Sequence, residues 1–174
     1  VVSVNYRLAP EVDYPTMLAD CQAVLAAVHP VALVGDSAGG RLAIDLAHQH
    51  SDAPPLGLIY PPVGELSPEC LGEDAPLLSR SDVLSIRQQC PEIIATQRDQ
   101  SAPASSIEVL TVEHDPLTRP VETTVAQWQK AGASIGYRCA PKMVHGALHA
   151  HAQLPDMSAA WQDFCHTLKQ RLNQ

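Results

Sequence analysis

The sequence predicts an α/β fold, a mostly parallel sheet with helices on both faces, on three observations. Short apolar runs recur along the chain, at 1–6, 31–34, 56–60, 107–112 and 134–139. Stretches with apolar residues at helical spacing separate most of them, and strands joined by single helices pair in parallel. The sharpest transition runs from Val31-Ala32-Leu33-Val34 through Gly35-Asp36-Ser37-Ala38-Gly39-Gly40 into Arg41-Leu42-Ala43-Ile44-Asp45-Leu46-Ala47, a strand turning directly into a helix.

Taken in order, Val1 to Tyr6 reads as a buried strand and Tyr6 to Glu11 as the loop that leaves it. Pro15 opens a helix in which Met17, Leu18, Cys21, Val24, Leu25 and Val28 share a face, and Pro30 ends it. Val31 to Val34 is the second strand, and the helix after the glycine-rich turn extends to about His50. Leu56 to Tyr60 is the third strand, closed by Pro61-Pro62. Residues 63 to about 105 lose the alternation and read as an insertion, with a helix over Leu77 to Gln97 capped by Ser79 or Ser81. Ile107 to Val112 restores the pattern as a fourth strand, and a helix from about Val121 to Lys130 stops at Ala131-Gly132. Ser134 to Cys139 is a fifth strand, and Asp156 to Leu172 a final helix with Asp156 near its start.

A length of 174 residues fits one domain, and 45% hydrophobic residues suffice for a core. A formal charge of −8 and a pI near 5.3 argue against nucleic acid or an anionic membrane surface as partner. No apolar run approaches the roughly 20 residues of a membrane span. Cys21, Cys70, Cys90, Cys139 and Cys165 are scattered without a C-x-x-C pair, so buried free thiols in a reducing cytoplasm are the expectation. The chain opens in a strand, Val-Val-Ser-Val, rather than with methionine, which reads as sequence missing upstream.

Gly-x-Ser-x-Gly between a strand and a helix is the context of a nucleophile elbow. A serine hydroxyl attacks a carbonyl only when a base takes its proton and the side chain stands clear of the backbone, which the sharp reversal achieves at Ser37. The crowding of that turn predicts small residues two before and two after, met by Gly35 and Gly39. The helix opening at Ala38 directs free N–H groups and its positive dipole end toward the serine, making the Ala38 N–H an expected oxyanion donor. The competing reading is a serine that merely caps the helix.

Carboxyl ends of strands gather the chemistry of such sheets. Asp115, just beyond the fourth strand, and His145, after the fifth, stand there in the chain order Ser, Asp, His. Asp115 could instead only start a turn before Pro116. Among eight histidines, His29, His48, His50 and His166 fall in or at the ends of helices, and His114 adjoins the better-placed Asp115. His149 and His151 lack the carboxylate of an H-E-x-x-H pattern, which disfavours a metal site. Asp36 should point away from the elbow into a structural contact. These residues imply acyl-group chemistry with no metal or organic cofactor.

Several segments together resemble the hormone-sensitive-lipase-like branch of the α/β-hydrolases, the bacterial family IV esterases: Val1 to Glu11, with Tyr6-Arg7-Leu8-Ala9-Pro10-Glu11; Gly35 to Gly40; Glu113-His114-Asp115-Pro116-Leu117; and Met143-Val144-His145-Gly146. The resemblance implies an α/β-hydrolase fold and a Ser37, His145, Asp115 triad hydrolysing small-molecule carboxylic esters with short to medium acyl chains. It also implies a cap containing residues 63–105 and no cofactor. Family members often pair through the last strand and helix, here about 134–172, so a homodimer is an assembly the resemblance allows. The family's H-G-G-G loop, which completes the oxyanion hole, precedes the Tyr6-Arg7 segment and is not in this sequence, nor are its first strands and the N-terminal part of its cap. The missing strand would leave a gap between Val1 and Val31 with two exposed apolar edges. The alternatives are a truncated, inactive fragment and a ligand-binding receptor on the same fold; a receptor that had lost its triad histidine would not carry His145.

Overall fold

The computed structural model describes residues 1–93 and 97–172. Its centre is a four-stranded, all-parallel sheet in the order β1 (Leu33–Asp36), β2 (Leu56–Ile59), β3 (Ser106–His114), β4 (Ser134–Val144). Leu33 pairs with Leu56, Leu56 with Ile107 and Ile107 with Ile135, so the strands start level and their carboxyl ends form one edge. Helices α2 (Ala38–Ala47) and α4 (Thr118–Lys130) cover one face. Helix α5 (Pro155–Arg171) covers the other, and α1 (Tyr14–Val28) packs beside α2.

Local chemistry explains most boundaries. Asp13 caps α1 by accepting the Thr16 N–H, and Pro15 fills a first-turn position where no donor is needed. Helix α3 (Arg80–Gln89) starts at a capping box in which Ser79 and Asp82 exchange hydrogen bonds. The remainder of the expected Leu77 to Gln97 helix is not continuous: a short 3₁₀ turn occupies Pro91–Ile93, another Arg98–Gln100, and 94–96 lie outside the described residues. Proline at 91 removes the donor that would extend α3.

Four further expectations are corrected. Val1 to Tyr6 forms no strand: it runs as coil, with Val2 58% accessible while Val4 and Tyr6 pack partly against the core between α1 and α2. A strand is stabilised by its neighbours, and no described strand lies alongside this segment. The second strand begins two residues later than expected, leaving Val31 outside the ladder and exposed. The last strand runs five residues further, to Val144. The five thiols are free as expected, yet only Cys21 is buried, while Cys139 and Cys165 are exposed.

Two clusters of buried charge accompany the apolar core. On the α2 face, Arg41 is wholly buried between Asp45 and Asp99, hydrogen-bonding both carboxylates. Tyr14 donates to Asp45 at 2.6 Å, the Gly64 N–H to Asp99 at 2.8 Å, and Trp128 to the Asp99 carbonyl at 2.7 Å. On the α5 face, Glu108 accepts from Arg138 at 2.9 Å and from Arg171. Arg138 continues to Thr167, and Arg171 to Ser134.

Candidate active site

The turn between β1 and α2 holds Ser37 at φ 49°, ψ −121°, a conformation L-residues avoid, which projects the side chain from the edge where the strands end. The Ser37 N–H donates to the Ile59 carbonyl at 2.9 Å, tying the turn to the end of β2. A Cβ at Gly35 would overlap the Gly39 carbonyl, and one at Gly40 would come within 2.9 Å of Pro61 Cβ. A Cβ at Gly39 meets no atom within 4 Å. The steric demand of the turn therefore falls on Gly35 and Gly40, not on Gly35 and Gly39, because the residue packed against the end of β2 is three after the serine.

Asp115 follows β3 directly and is buried; one carboxylate oxygen accepts the Leu117 N–H at 2.8 Å, which fixes the side chain in its loop. His145 follows β4 and precedes Gly146, whose φ of 80° turns the chain into the 3₁₀ segment Ala147–Gln153. The structure brings these three residues together. His145 Nδ1 lies 2.7 Å from Asp115 Oδ2, and Nε2 lies 2.9 Å from Ser37 Oγ. An ionised carboxylate can only accept, so Nδ1 carries the proton and donates to Asp115, leaving the Nε2 lone pair for the Ser37 hydroxyl. Such an arrangement can move a proton from a nucleophilic oxygen to a leaving group.

Helix α2 opens at Ala38, and its first N–H groups have no intrahelical acceptor. Asp36 is partly exposed and its carboxylate stands 3.5 Å from His149 Nε2, an exposed pair at the rim. His151 Nδ1 donates to the Leu148 carbonyl at 2.8 Å. Among the described residues no group of three metal-ligating side chains converges.

A model of the alpha/beta hydrolase fold matches residues 1–149. The chain belongs to the α/β-hydrolase family. It falls in the hormone-sensitive-lipase-like, family IV branch of these α/β-hydrolases. Carboxylesterase NlhH of Mycobacterium tuberculosis is 30% identical to it, an alignment covering 99% of this chain and 64% of that protein, so the chain spans less than two thirds of this relative's length. Esterase LipW from Mycobacterium marinum superposes with a TM-score of 0.83 at 24% identity, over 97% of this chain and 62% of that one. The carboxylesterase EstE1, cloned from a metagenomic library, gives 0.81 at 23%, over 96% and 67%. At these identities the structural likeness shows the α/β-hydrolase fold.

Sequence reasoning passed over Tyr60, whose ring centroid lies 4.5 Å from that of His145. In the sequence it is only the last residue of the apolar run Leu56 to Tyr60, and nothing in that run sets it apart. Burial, with the nearby Asp36 and Asp115 carboxylates, pushes its phenol pKa up.

Proposed function

We propose that the chain hydrolyses carboxylic esters, with Ser37 as nucleophile, His145 as general base and then acid, and Asp115 as the group that fixes the imidazole tautomer. The observation that carries this reading is the unbroken hydrogen-bonded line from Ser37 Oγ through both His145 nitrogens to Asp115. His145 accepts the Ser37 proton as Oγ attacks the ester carbonyl, then gives it to the departing alcohol; water releases the acyl group along the same path. The Ala38 N–H at the start of α2 faces the negative charge of the tetrahedral intermediate. The relatives named carboxylesterase and esterase support an ester substrate, and short to medium acyl chains are the class proposed.

Residues 63–105 form part of the cap over the acyl pocket in this reading. Leu71 packs with Leu117, and the Gly72 N–H donates to the Pro116 carbonyl at 2.8 Å, which seats this segment on the loop that carries Asp115. Five free thiols fit a reducing, cytoplasmic setting. No described helix is long and apolar enough to cross a membrane.

The test is Ser37→Ala in the protein extended to the full length of its relatives, assayed on p-nitrophenyl butyrate. A fall in kcat on the order of 10⁴ or more is expected. Turnover within a few-fold of the parent would sink the assignment. In the chain as it stands, a fluorophosphonate should label Ser37, and His145→Ala should suppress the labelling.

A further inference from the structure

Successive residues of a strand alternate between the faces of a sheet. Along β2 they do: Leu56 and Leu58 enter the core on the α2 and α4 side, while Ile59 enters the core under α5. Continued alternation would send residue 60 back to the α2 side. Tyr60 instead joins Ile59 in the α5 core, and its backbone adopts φ 35°, the left-handed region that L-residues avoid. A bulky residue held there is under backbone strain. The Tyr60 N–H is secured by the Leu110 carbonyl at 2.7 Å, and Pro61-Pro62 follow at once, so neighbours impose the conformation.

The reversal places the ring against the imidazole, with centroids 4.5 Å apart and planes tilted by 51°. The phenol is 1% accessible. Its hydroxyl is buried near the Leu148 N–H without reaching hydrogen-bond geometry. A strained backbone opposes folding, so core packing alone does not account for an aromatic ring turned to this face. His145 itself sits at the start of a loop, held at its two nitrogens in the imidazole plane. Those two hydrogen bonds set where the ring's edge lies, but they resist rotation about the line joining them only weakly.

We propose that Tyr60 is a positioning residue for His145, its ring the surface that fixes the plane of the imidazole between Ser37 and Asp115. The proposal rests on the reading of Ser37, His145 and Asp115 as an acyl-transfer triad. The agent is the ring, not the hydroxyl. Tyr60→Phe therefore keeps the function, and Tyr60→Leu and Tyr60→Met lose it.

Two measurements on the full chain test this, one needing no turnover. Proton NMR follows the Nδ1–H of His145 donated to Asp115: parent and Tyr60→Phe should show a slowly exchanging signal, and Tyr60→Leu a signal broadened or lost to exchange with water. The rate of Ser37 labelling by a fluorophosphonate should fall roughly 10- to 100-fold in Tyr60→Leu and stay within about twofold in Tyr60→Phe. A Tyr60→Leu protein with parental signal and labelling rate overturns the proposal, as does a Tyr60→Phe protein impaired equally. Tyr60→Met keeps volume without a ring; if neither it nor Tyr60→Leu folds while Tyr60→Phe does, Tyr60 is a core residue only and the proposal fails. An unlabelled parent that still shows the ring-dependent NMR signal would remove the hydrolase reading while leaving the positioning of His145 intact.

Discussion

The two buried charge clusters lie on opposite faces of the sheet and are built with opposite polarity. Under α2, Arg41 is held by two carboxylates, with the half-exposed Arg98 reaching Asp45 at 3.3 Å; under α5, Glu108 is held by two guanidiniums, with the exposed Asp163 on Arg138 at 3.1 Å. They also differ in their access to water. Arg41, Asp45 and Asp99 are sealed, whereas Arg138 and Arg171 keep 15% and 13% of their side chains exposed. Burial works against the Arg41 charge, and hydrogen bonds and attraction from Asp45 and Asp99 outweigh it, lifting its pKa above the ordinary value. The sealed cluster joins α1, α2, Gly64 and Asp99, segments far apart in sequence, one turn beyond Ser37. The vented cluster fastens α5 across the starting ends of β3 and β4. Among the described residues, the sealed side has only the 3.3 Å contact of Arg98 to fall back on when Arg41 is removed, while the vented one has several other partners for its charges.

Replacing Arg41 with Met should have the largest effect, because, among the described residues, Asp99 would remain buried with no cation and Asp45 with only the longer 3.3 Å contact to Arg98. Losses of about 3–5 kcal/mol in urea unfolding are expected, together with slower labelling of Ser37. Glu108→Gln should lose less, about 1–3 kcal/mol, since Arg138 keeps Asp163 and Thr167 and Arg171 keeps Ser134. Glu108 stands about 20 Å along β3 from the Asp115 end, so Ser37 labelling should be unchanged. Equal losses in the two variants would erase the distinction between sealed and vented.

The smallest effect is a pH dependence confined to the sealed side. His48 follows α2 with a buried ring nitrogen that has no partner among the described residues. Burial lowers its pKa below 6.5, with Arg41 and Arg98 acting in the same direction and Asp99 and Asp45 against it. The unfolded chain therefore binds this proton more readily than the folded one. The corresponding stability is present above pH 6.5 and is lost as pH falls below it. His48→Gln should flatten the change in urea midpoint between pH 7 and pH 5 relative to the parent; an unaltered slope would place the dependence elsewhere.

The strand and helix sequence was legible because local rules govern it: apolar period, Pro15 and a serine cap at 79 or 81 all act within four residues. The elbow was legible for the same reason, and its glycines show where local reasoning stopped. That Gly40 rather than Gly39 carries the second steric demand depends on Pro61, twenty-one residues on. The burial of Arg41 and Asp45 is not marked in the sequence, because nothing nearby announces Asp99, fifty-eight residues from Arg41. Val1 to Tyr6 misled in the other direction, since apolar β-branched residues predict a strand only where another strand is there to pair with. Tyr60 was hidden because a change of face at the end of a strand leaves no mark in composition.

The open space beside Gly39 offers a practical handle. Residue 39 lies in a helical turn two residues from the hydroxyl, and a Cβ there would meet no neighbour within 4 Å. A cysteine placed there would accept an environment-sensitive dye beside the nucleophile, turning the elbow into its own reporter of what enters the site.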